Sequence, residues 1–130
     1  AILTHDIASS LNNHEQVDAI FIDYCKAFDK VCHKKLLLKL RNLFTGLYAD
    51  KLLVCNTDYL HLRSQFVPYN HEQSSQAHIF SGVPQGSVLG HLLFIIYIND
   101  VIQVVINTPV KLRLYADDCV FYSNVRSVTD

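Results

Sequence analysis

Lys111–Tyr115 and Cys119–Tyr122 are two short runs of strand-forming character, and only Ala116-Asp117-Asp118 separates them. Three residues can turn a chain back on itself between antiparallel strands, but they cannot make the long crossover that parallel strands require. The chain is therefore bound to contain an antiparallel hairpin with acids at its tip. A third run, Val17–Ile22, is short, β-branched and nearly continuous in apolar character, which suits a buried strand, and it ends at Asp23.

The remaining elements follow from periodicity. Leu3, Ile7 and Leu11 recur at four-residue spacing within residues 1–14, a weak helix with Thr4 as a candidate cap. From Lys34 to Leu47, Leu36, Leu37, Leu40, Leu43, Phe44 and Leu47 fall on one helical face, with Lys34, Lys35, Lys39 and Arg41 over much of the rest. A further helix is expected over Ala49–Leu60. Gln65–Tyr69 and Ala77–Phe80 read as strands joined by the polar stretch between them. Gly82, Pro84 and Gly86 punctuate a loop, and a helix from Ser87 to about Val101 follows before a turn at Asn107-Thr108-Pro109. The order α β α α β β α β β predicts an α+β fold, a sheet backed by helices.

Composition removes several classes of function. Half of the 130 residues are hydrophobic and 18% are charged, which excludes a disordered tail. Eleven Lys and Arg against twelve Asp and Glu exclude a polybasic nucleic-acid binder, so any such contact must come from a local patch. Cys25, Cys32, Cys55 and Cys119 form no C-x-x-C pair, which argues for reduced thiols rather than a disulfide scaffold or a zinc site. Val88–Ile98 is the most apolar stretch. Its eleven residues, interrupted by His91, fall short of the roughly 20 that cross a bilayer. No signal peptide is evident, and an intracellular, soluble protein is expected. With no methionine and an Ala-Ile-Leu-Thr start, the sequence reads as an internal piece of a longer frame.

The chemistry is carried by acids that interrupt apolar strands. A carboxylate at the end of a buried strand is costly unless a cation offsets it. If the strands are neighbours, Asp23 and Asp117 approach within a few ångströms, and their repulsion invites a divalent metal. Oxygen-only ligands favour Mg2+ or Mn2+. Spacing alone leaves plainer readings open: Asp-Asp at a hairpin tip is ordinary turn chemistry, and Asp23 could cap a helix starting near Lys26.

Three motifs in order sharpen this. Phe21-Ile22-Asp23-Tyr24-Cys25-Lys26-Ala27-Phe28-Asp29-Lys30-Val31 resembles the first catalytic motif of reverse transcriptases of non-LTR retrotransposons. Ser81-Gly82-Val83-Pro84-Gln85-Gly86-Ser87-Val88-Leu89-Gly90 resembles their nucleotide-pocket motif, and Ile96-Tyr97-Ile98-Asn99-Asp100 its continuation. Tyr115-Ala116-Asp117-Asp118 resembles their acidic hairpin. The resemblance implies an RNA-directed DNA polymerase acting on an RNA template, a DNA primer and deoxynucleoside triphosphates with two Mg2+ ions, Mn2+ being an alternative. By the same resemblance Asp23 and Asp117 bind both metals, Asp118 is the accessory acid and the Tyr24 carbonyl a backbone ligand. Phe28 matches the aromatic gate under the sugar, although the same residue also suits core packing. Gln85 and Gly86 match the lining of the nucleotide pocket, where an amide can hydrogen-bond and a glycine admits close backbone approach; a plain helix-entry loop is the alternative.

The domain reading that follows is a palm-type antiparallel sheet backed by helices. Residues 1–16 end an upstream fingers or palm helix, 17–124 form the palm segment, and 125–130 begin a later palm or thumb segment. Fingers and thumb are largely missing, so little polymerase activity is expected of this segment alone. In a retrotransposon ribonucleoprotein it would occupy cytoplasm and nucleus. Lys26, Lys30, Lys34, Lys35, Lys39 and Arg41 crowd six of the eleven basic residues together, either a solvated face or a phosphate-tracking patch.

Several positions depart from the family pattern. Tyr24-Cys25 replace Phe-Ser or Leu-Ser, Cys32 and His91 each replace a common proline, and Thr45–Thr57 matches poorly, without the usual tryptophan. These departures keep an inactive retroelement fragment open as the rival reading. A nucleotide cyclase could share the acidic hairpin but has no reason to carry the other two motifs. Tyr48-Ala49-Asp50-Lys51 mimics the hairpin with a lysine for the second acid in a helical stretch, and Cys25, Cys32 and His33 are only loosely zinc-like. Neither is assigned a role.

Overall fold

The computed structural model describes residues 2–125. It divides into two units, one formed by Ala1–Cys25 with Asn99–Asp130 and the other by Lys26–Ile98. The architecture of the described residues is α+β, as expected, and none of their helices is long and apolar enough to cross a membrane.

The first unit contains α1 (Ile2–Asn12), β1 (Gln16–Asp23), a 3-10 helix (Asn99–Val104), β6 (Lys111–Tyr115) and β7 (Asp118–Val125). Its three strands are antiparallel in the order β1-β7-β6, with β7 in the middle. α1 ends in a Schellman motif: the His14 amide donates to the Leu11 carbonyl, the Glu15 amide to that of Ser10, and His14 takes φ +58°. That left-handed residue turns the chain directly into β1. The sheet face shared by Ala19, Val120, Tyr122 and Arg113 is the one on which α1 is tied down. The Tyr122 hydroxyl and Arg113 Nη2 donate to Asp6 Oδ2, the latter at 3.1 Å, and Lys111 Nζ lies 3.7 Å from the same oxygen. Ser10 Oγ adds a bond to Asn124 Oδ1 at 2.9 Å.

The second unit is helical. α2 (His33–Leu43), α3 (Ala49–Leu60) and α4 (Val88–Ile98) close over Phe28, Val31, Leu36, Leu40, Leu60, Val83, Leu93 and Phe94. α2 is rich in strong helix formers, and its Leu36 and Leu40 are fully buried while Lys34, Lys35 and Arg41 stay exposed, the amphipathic pattern its spacing requires. Between α3 and α4 lies a hairpin of two short ladders. β2 (Ser64–Gln65) pairs with β5 (Ala77–His78), and β3 (Pro68–Tyr69) pairs with β4 (Glu72–Gln73).

Four expectations need correction. Val17–Ile22 is a strand, but not a buried one: among the described residues β1 lies at the sheet edge beside β7 alone, and Ile20 and Phe21 are 64% and 72% exposed. The buried strand is β7. α2 stops at Leu43 rather than Leu47, because Phe44 adopts an extended conformation and Gly46 a φ of +90°, which puts Leu47 outside. The hairpin after α3 turns at Asn70-His71, both with positive φ, instead of through the whole stretch to Gln76. Two such residues make a turn that matches strand twist, and Pro68, with no N–H to give, keeps the ladders short. Finally, α4 ends at Ile98 and Asn99–Val104 tightens to a 3-10 helix.

The Asp6 cluster makes the first unit pH-sensitive at both ends. The Tyr122 hydroxyl, with Lys111 and Arg113, holds the Asp6 carboxyl below its ordinary 3.8 against the opposing effect of burial. Burial and the bond to Asp6 push the Tyr122 hydroxyl above its ordinary 10.0. A depressed carboxyl pKa stabilises the fold above the unfolded value and loses that contribution as pH falls through the folded one. A raised phenol pKa stabilises below the unfolded value and loses it as pH rises through the folded one. Attachment of α1 is thus at full strength between those limits. Urea unfolding compared at neutral pH and at about pH 2.5 should show a smaller acid loss in Asp6→Asn than in the unsubstituted chain.

Candidate functional site

The first unit gathers three acids at one end of its sheet. Asp23, the last residue of β1, and Asp118, the first of β7, are register partners, and Tyr115 opposes Asp118 from the other side. Opposed residues of an antiparallel pair lie about 4.5–5.5 Å apart at Cα and project from the same face. The connection is only Ala116-Asp117, one residue shorter than expected, and Ala116 takes φ +53°. That left-handed conformation costs an alanine about 1–2 kcal/mol, so the tight turn is maintained against local preference. The strand neighbours are those anticipated, but the acid directly facing Asp23 is Asp118, with Asp117 beside it at the tip.

Asp23 and Asp118 are exposed and Asp117 is half-buried. Among the described residues, no hydrogen bond or ion pair engages any of these three carboxylates. Directly opposed like charges destabilise a sheet, so this end of the sheet calls for positive charge from outside. The donor set suits a hard divalent cation, which binds oxygen and typically takes one or two protein carboxylates while keeping several waters. Among the described residues, however, no three His, Cys, Asp or Glu side chains stand ready as a closed metal site. Tyr24 follows directly, half-buried, its hydroxyl pushed above 10.0 by burial and by neighbouring Cys119.

The other anticipated residues belong to the second unit. Phe28 is 5% exposed, stacked on Phe94 at 4.4 Å between centroids and edge-on to His91 at 5.2 Å. It is thus a core residue here. Lys26, Lys30, Lys34, Lys35 and Arg41 are exposed, whereas Lys39 is turned inward, donating to the Tyr97 carbonyl with its ammonium 5.0 Å from that ring centroid. The Tyr48-Ala49-Asp50-Lys51 look-alike opens α3 and has no hairpin geometry.

Gln85 and Gly86 are exposed, but the loop that carries them is fastened on both sides. Upstream, the Gly82 amide donates to the Val31 carbonyl at 2.8 Å and the Val83 amide to that of Phe28 at 2.9 Å. Ser81 Oγ donates to the Asp29 carbonyl at 2.9 Å, and His33 Nε2–H to the Gly82 carbonyl at 2.7 Å. Downstream, Ser87 caps α4, accepting from the Gly90 amide at 3.0 Å and donating to the Pro84 carbonyl at 2.8 Å. From sequence, His33 is only loosely zinc-like and is assigned no role, and neither Asp6 nor the capping role of Ser87 is singled out. For Ser87 a signal existed, a serine at the start of an apolar helical run. For His33 and Asp6 the partners lie 49 and 116 residues away, and no local pattern marks them.

Glycine is required at two points of this loop. Gly82 has φ +95°, and a Cβ there would come within 2.9 Å of Asp29 Cα and carbonyl oxygen; a Cβ on Gly90 would lie 2.0 Å from the Pro84 oxygen. A Cβ on Gly86 would meet nothing within 4 Å, though its φ is +83°. Gly82→Ala and Gly90→Ala are each expected to cost about 2–3 kcal/mol through overpacking, and Gly86→Ala about 1 kcal/mol through backbone strain alone. Urea denaturation of the three variants tests that ranking.

Comparison with known proteins converges on one assignment. The family described as "Reverse transcriptase (RNA-dependent DNA polymerase)" matches residues 3–130. The chain is similar to the "Probable RNA-directed DNA polymerase from transposon X-element" of Drosophila melanogaster, 33% identical over 123 residues, which is 92% of this chain and 13% of that protein. It is also similar to two others of that species. The "Probable RNA-directed DNA polymerase from transposon BS" is 37% identical over 98 residues, 75% of this chain and 10% of that protein. The "RNA-directed DNA polymerase from mobile element jockey" is 32% identical over 124 residues, 92% of this chain and 13% of that protein. The chain therefore spans 13% or less of the length of these curated relatives. With the acidic hairpin, the Gly82–Gly90 loop and the helices all falling inside the matched region, the chain belongs to the reverse transcriptase family.

Proposed function

We propose that the chain is the palm-type catalytic segment of an RNA-directed DNA polymerase, extending a DNA primer on an RNA template. The observation that carries this is the end of the three-stranded sheet, where Asp23 faces Asp118 in register, Asp117 forms the tip, and none of the three is neutralised among the described residues. The reaction is attack of a primer 3′-hydroxyl on the α-phosphate of a deoxynucleoside triphosphate, with pyrophosphate leaving. Asp23 and Asp117 would hold two Mg2+ or Mn2+ ions, with Asp118 accessory and the Tyr24 carbonyl a backbone ligand. When bound, such ions make the attacking hydroxyl more acidic and offset the charge of the departing oxygen.

The protein's own contribution is placement and charge. The hairpin holds three carboxylates at one sheet end. Gln85 offers its side-chain amide to the nucleotide, and Gly86 lets the backbone approach closely. Phe28 underlies the sugar, a contact that its 5% exposure confines to a small part of the ring. Lys26, Lys30, Lys34 and Lys35 would follow template or primer phosphates, a salt-sensitive interaction. In this reading residues 1–16 complete an upstream helix, 17–124 are the palm segment, and 125–130 lead into a later one.

Titration of the isotope-labelled chain with Mn2+ tests the assignment without requiring turnover. Backbone resonances of residues 22–24 and 116–119 should broaden first. Asp23→Asn and Asp117→Asn should each weaken the effect about 10-fold or more, and Asp50→Asn in the look-alike should leave it unchanged. Broadening that starts elsewhere, or that survives both substitutions, would falsify the metal assignment.

A further inference from the structure

His33 is the first residue of α2 and is half-buried. Its Nε2–H donates to the Gly82 carbonyl at 2.7 Å, within a loop 49 residues further along the chain. The imidazole also borders an open cavity of about 480 Å³ with Leu37, Leu60 and Ile79 among its walls. Packing therefore leaves space beside the ring, and the carbonyl bond is what gives it a defined orientation. Three other bonds tie the loop to residues 28–31, just ahead of α2, from the Gly82 and Val83 amides and from Ser81 Oγ. All three have donors in the loop and carbonyl acceptors in residues 28–31. The His33 bond runs the opposite way, its donor on a helix that Leu36 and Leu40 anchor in the core.

We propose that His33 is a positioning residue for the nucleotide-pocket loop, fixing the Gly82 carbonyl and with it the direction in which Gln85 and Gly86 leave the Val83-Pro84 segment. The inference rests on the reading of Gln85 and Gly86 as nucleotide-pocket residues and adds to it a residue that touches no substrate. Peptide units are planar, so the orientation of the Gly82 carbonyl sets that of the Val83 amide. Gly82, at φ +95°, has no Cβ to restrict it, and its peptide with Val83 is held at both ends, by the His33 donor on the carbonyl and by the Phe28 acceptor on the amide. The Ser87 cap secures the downstream end, so locking the upstream joint leaves Gln85 and Gly86 little freedom to wander.

The test uses the 130-residue chain with His33→Phe, which removes the donor while keeping a ring, and His33→Gln, whose side-chain amide can replace Nε2–H. Binding of Mg2+-dTTP is followed through the Gln85 and Gly86 amide resonances, and hydrogen exchange through Gly82, Val83 and the core amides of Leu40 and Leu93. Loss of one such hydrogen bond is expected to weaken dTTP binding and accelerate loop exchange about tenfold in His33→Phe. His33→Gln should stay near the unsubstituted chain, with core exchange unaffected in both. Binding that is undiminished in His33→Phe, or that falls equally in His33→Gln, overturns the positioning role while leaving the nucleotide reading intact. If the unsubstituted chain gives no dTTP response at Gln85 and Gly86, the nucleotide reading fails and this inference fails with it.

Discussion

The two-residue turn at Ala116-Asp117 sets the register of β6 against β7 in the three-stranded sheet. With Tyr115 opposite Asp118, every β6 residue has its partner on β7, and β1 pairs along the other edge of β7 with Asp23 opposite Asp118. Side chains alternate along a strand, so a slip of one residue would turn every group to the other face. A slip of β6 on β7 would put Lys111 and Arg113 on the face opposite Tyr122, so the three could no longer meet at Asp6. The placement of Asp117 and Asp118 at the tip and the seat of α1 therefore depend on the same turn. That is why a left-handed alanine, unfavourable in itself, is tolerated there.

In the second unit the equivalent constraint is close backbone approach. Gly82 and Gly90 admit carbonyl groups that any side chain would displace, and the loop between them is fixed at both ends by hydrogen bonds. Such a loop loses little entropy when something binds to it, because most of its ordering is already complete in the free protein. Its two exposed residues, a side-chain amide and a glycine, are of the kinds that contact a ligand by hydrogen bonding and by backbone proximity.

Much of this was legible in the sequence, for physical reasons. α2 and α3 announce themselves because burial at a 3.6-residue period writes itself directly into residue order. The β6–β7 hairpin is legible because a three-residue gap permits no other connection. The exposure of β1 was not legible: apolar strands at an edge and at the centre of a sheet have the same composition, and only the pairing order distinguishes them. The break at Phe44 was obscured by Leu47, which continues the apolar pattern although Gly46 has turned the chain away. At the site, the identity and order of the acids could be read, but the partner of Asp23 depended on whether the turn held two residues or three. Asp6, Arg113 and Tyr122 escaped notice because their connection spans more than a hundred residues and leaves no local periodicity.

The chain treats its acids in two distinct ways, and the contrast bears on what the sheet end is for. Asp6 is surrounded by a phenol, a guanidinium and an ammonium from the hairpin whose tip carries Asp117 and Asp118, and its carboxyl is stabilised in the charged form accordingly. Asp23, Asp117 and Asp118 receive no such partner among the described residues, although Lys111 and Arg113 lie only a few positions along β6. A fold selected for stability alone would place those cations next to the opposed carboxylates, where like charges face each other, rather than further along the same face of the sheet. Spending both on Asp6 secures α1 and leaves the acidic end unneutralised. A cluster of carboxylates left without protein cations is costly unless a mobile ion offsets it, and a metal-dependent phosphoryl transfer needs that ion to be exchangeable and open to substrate.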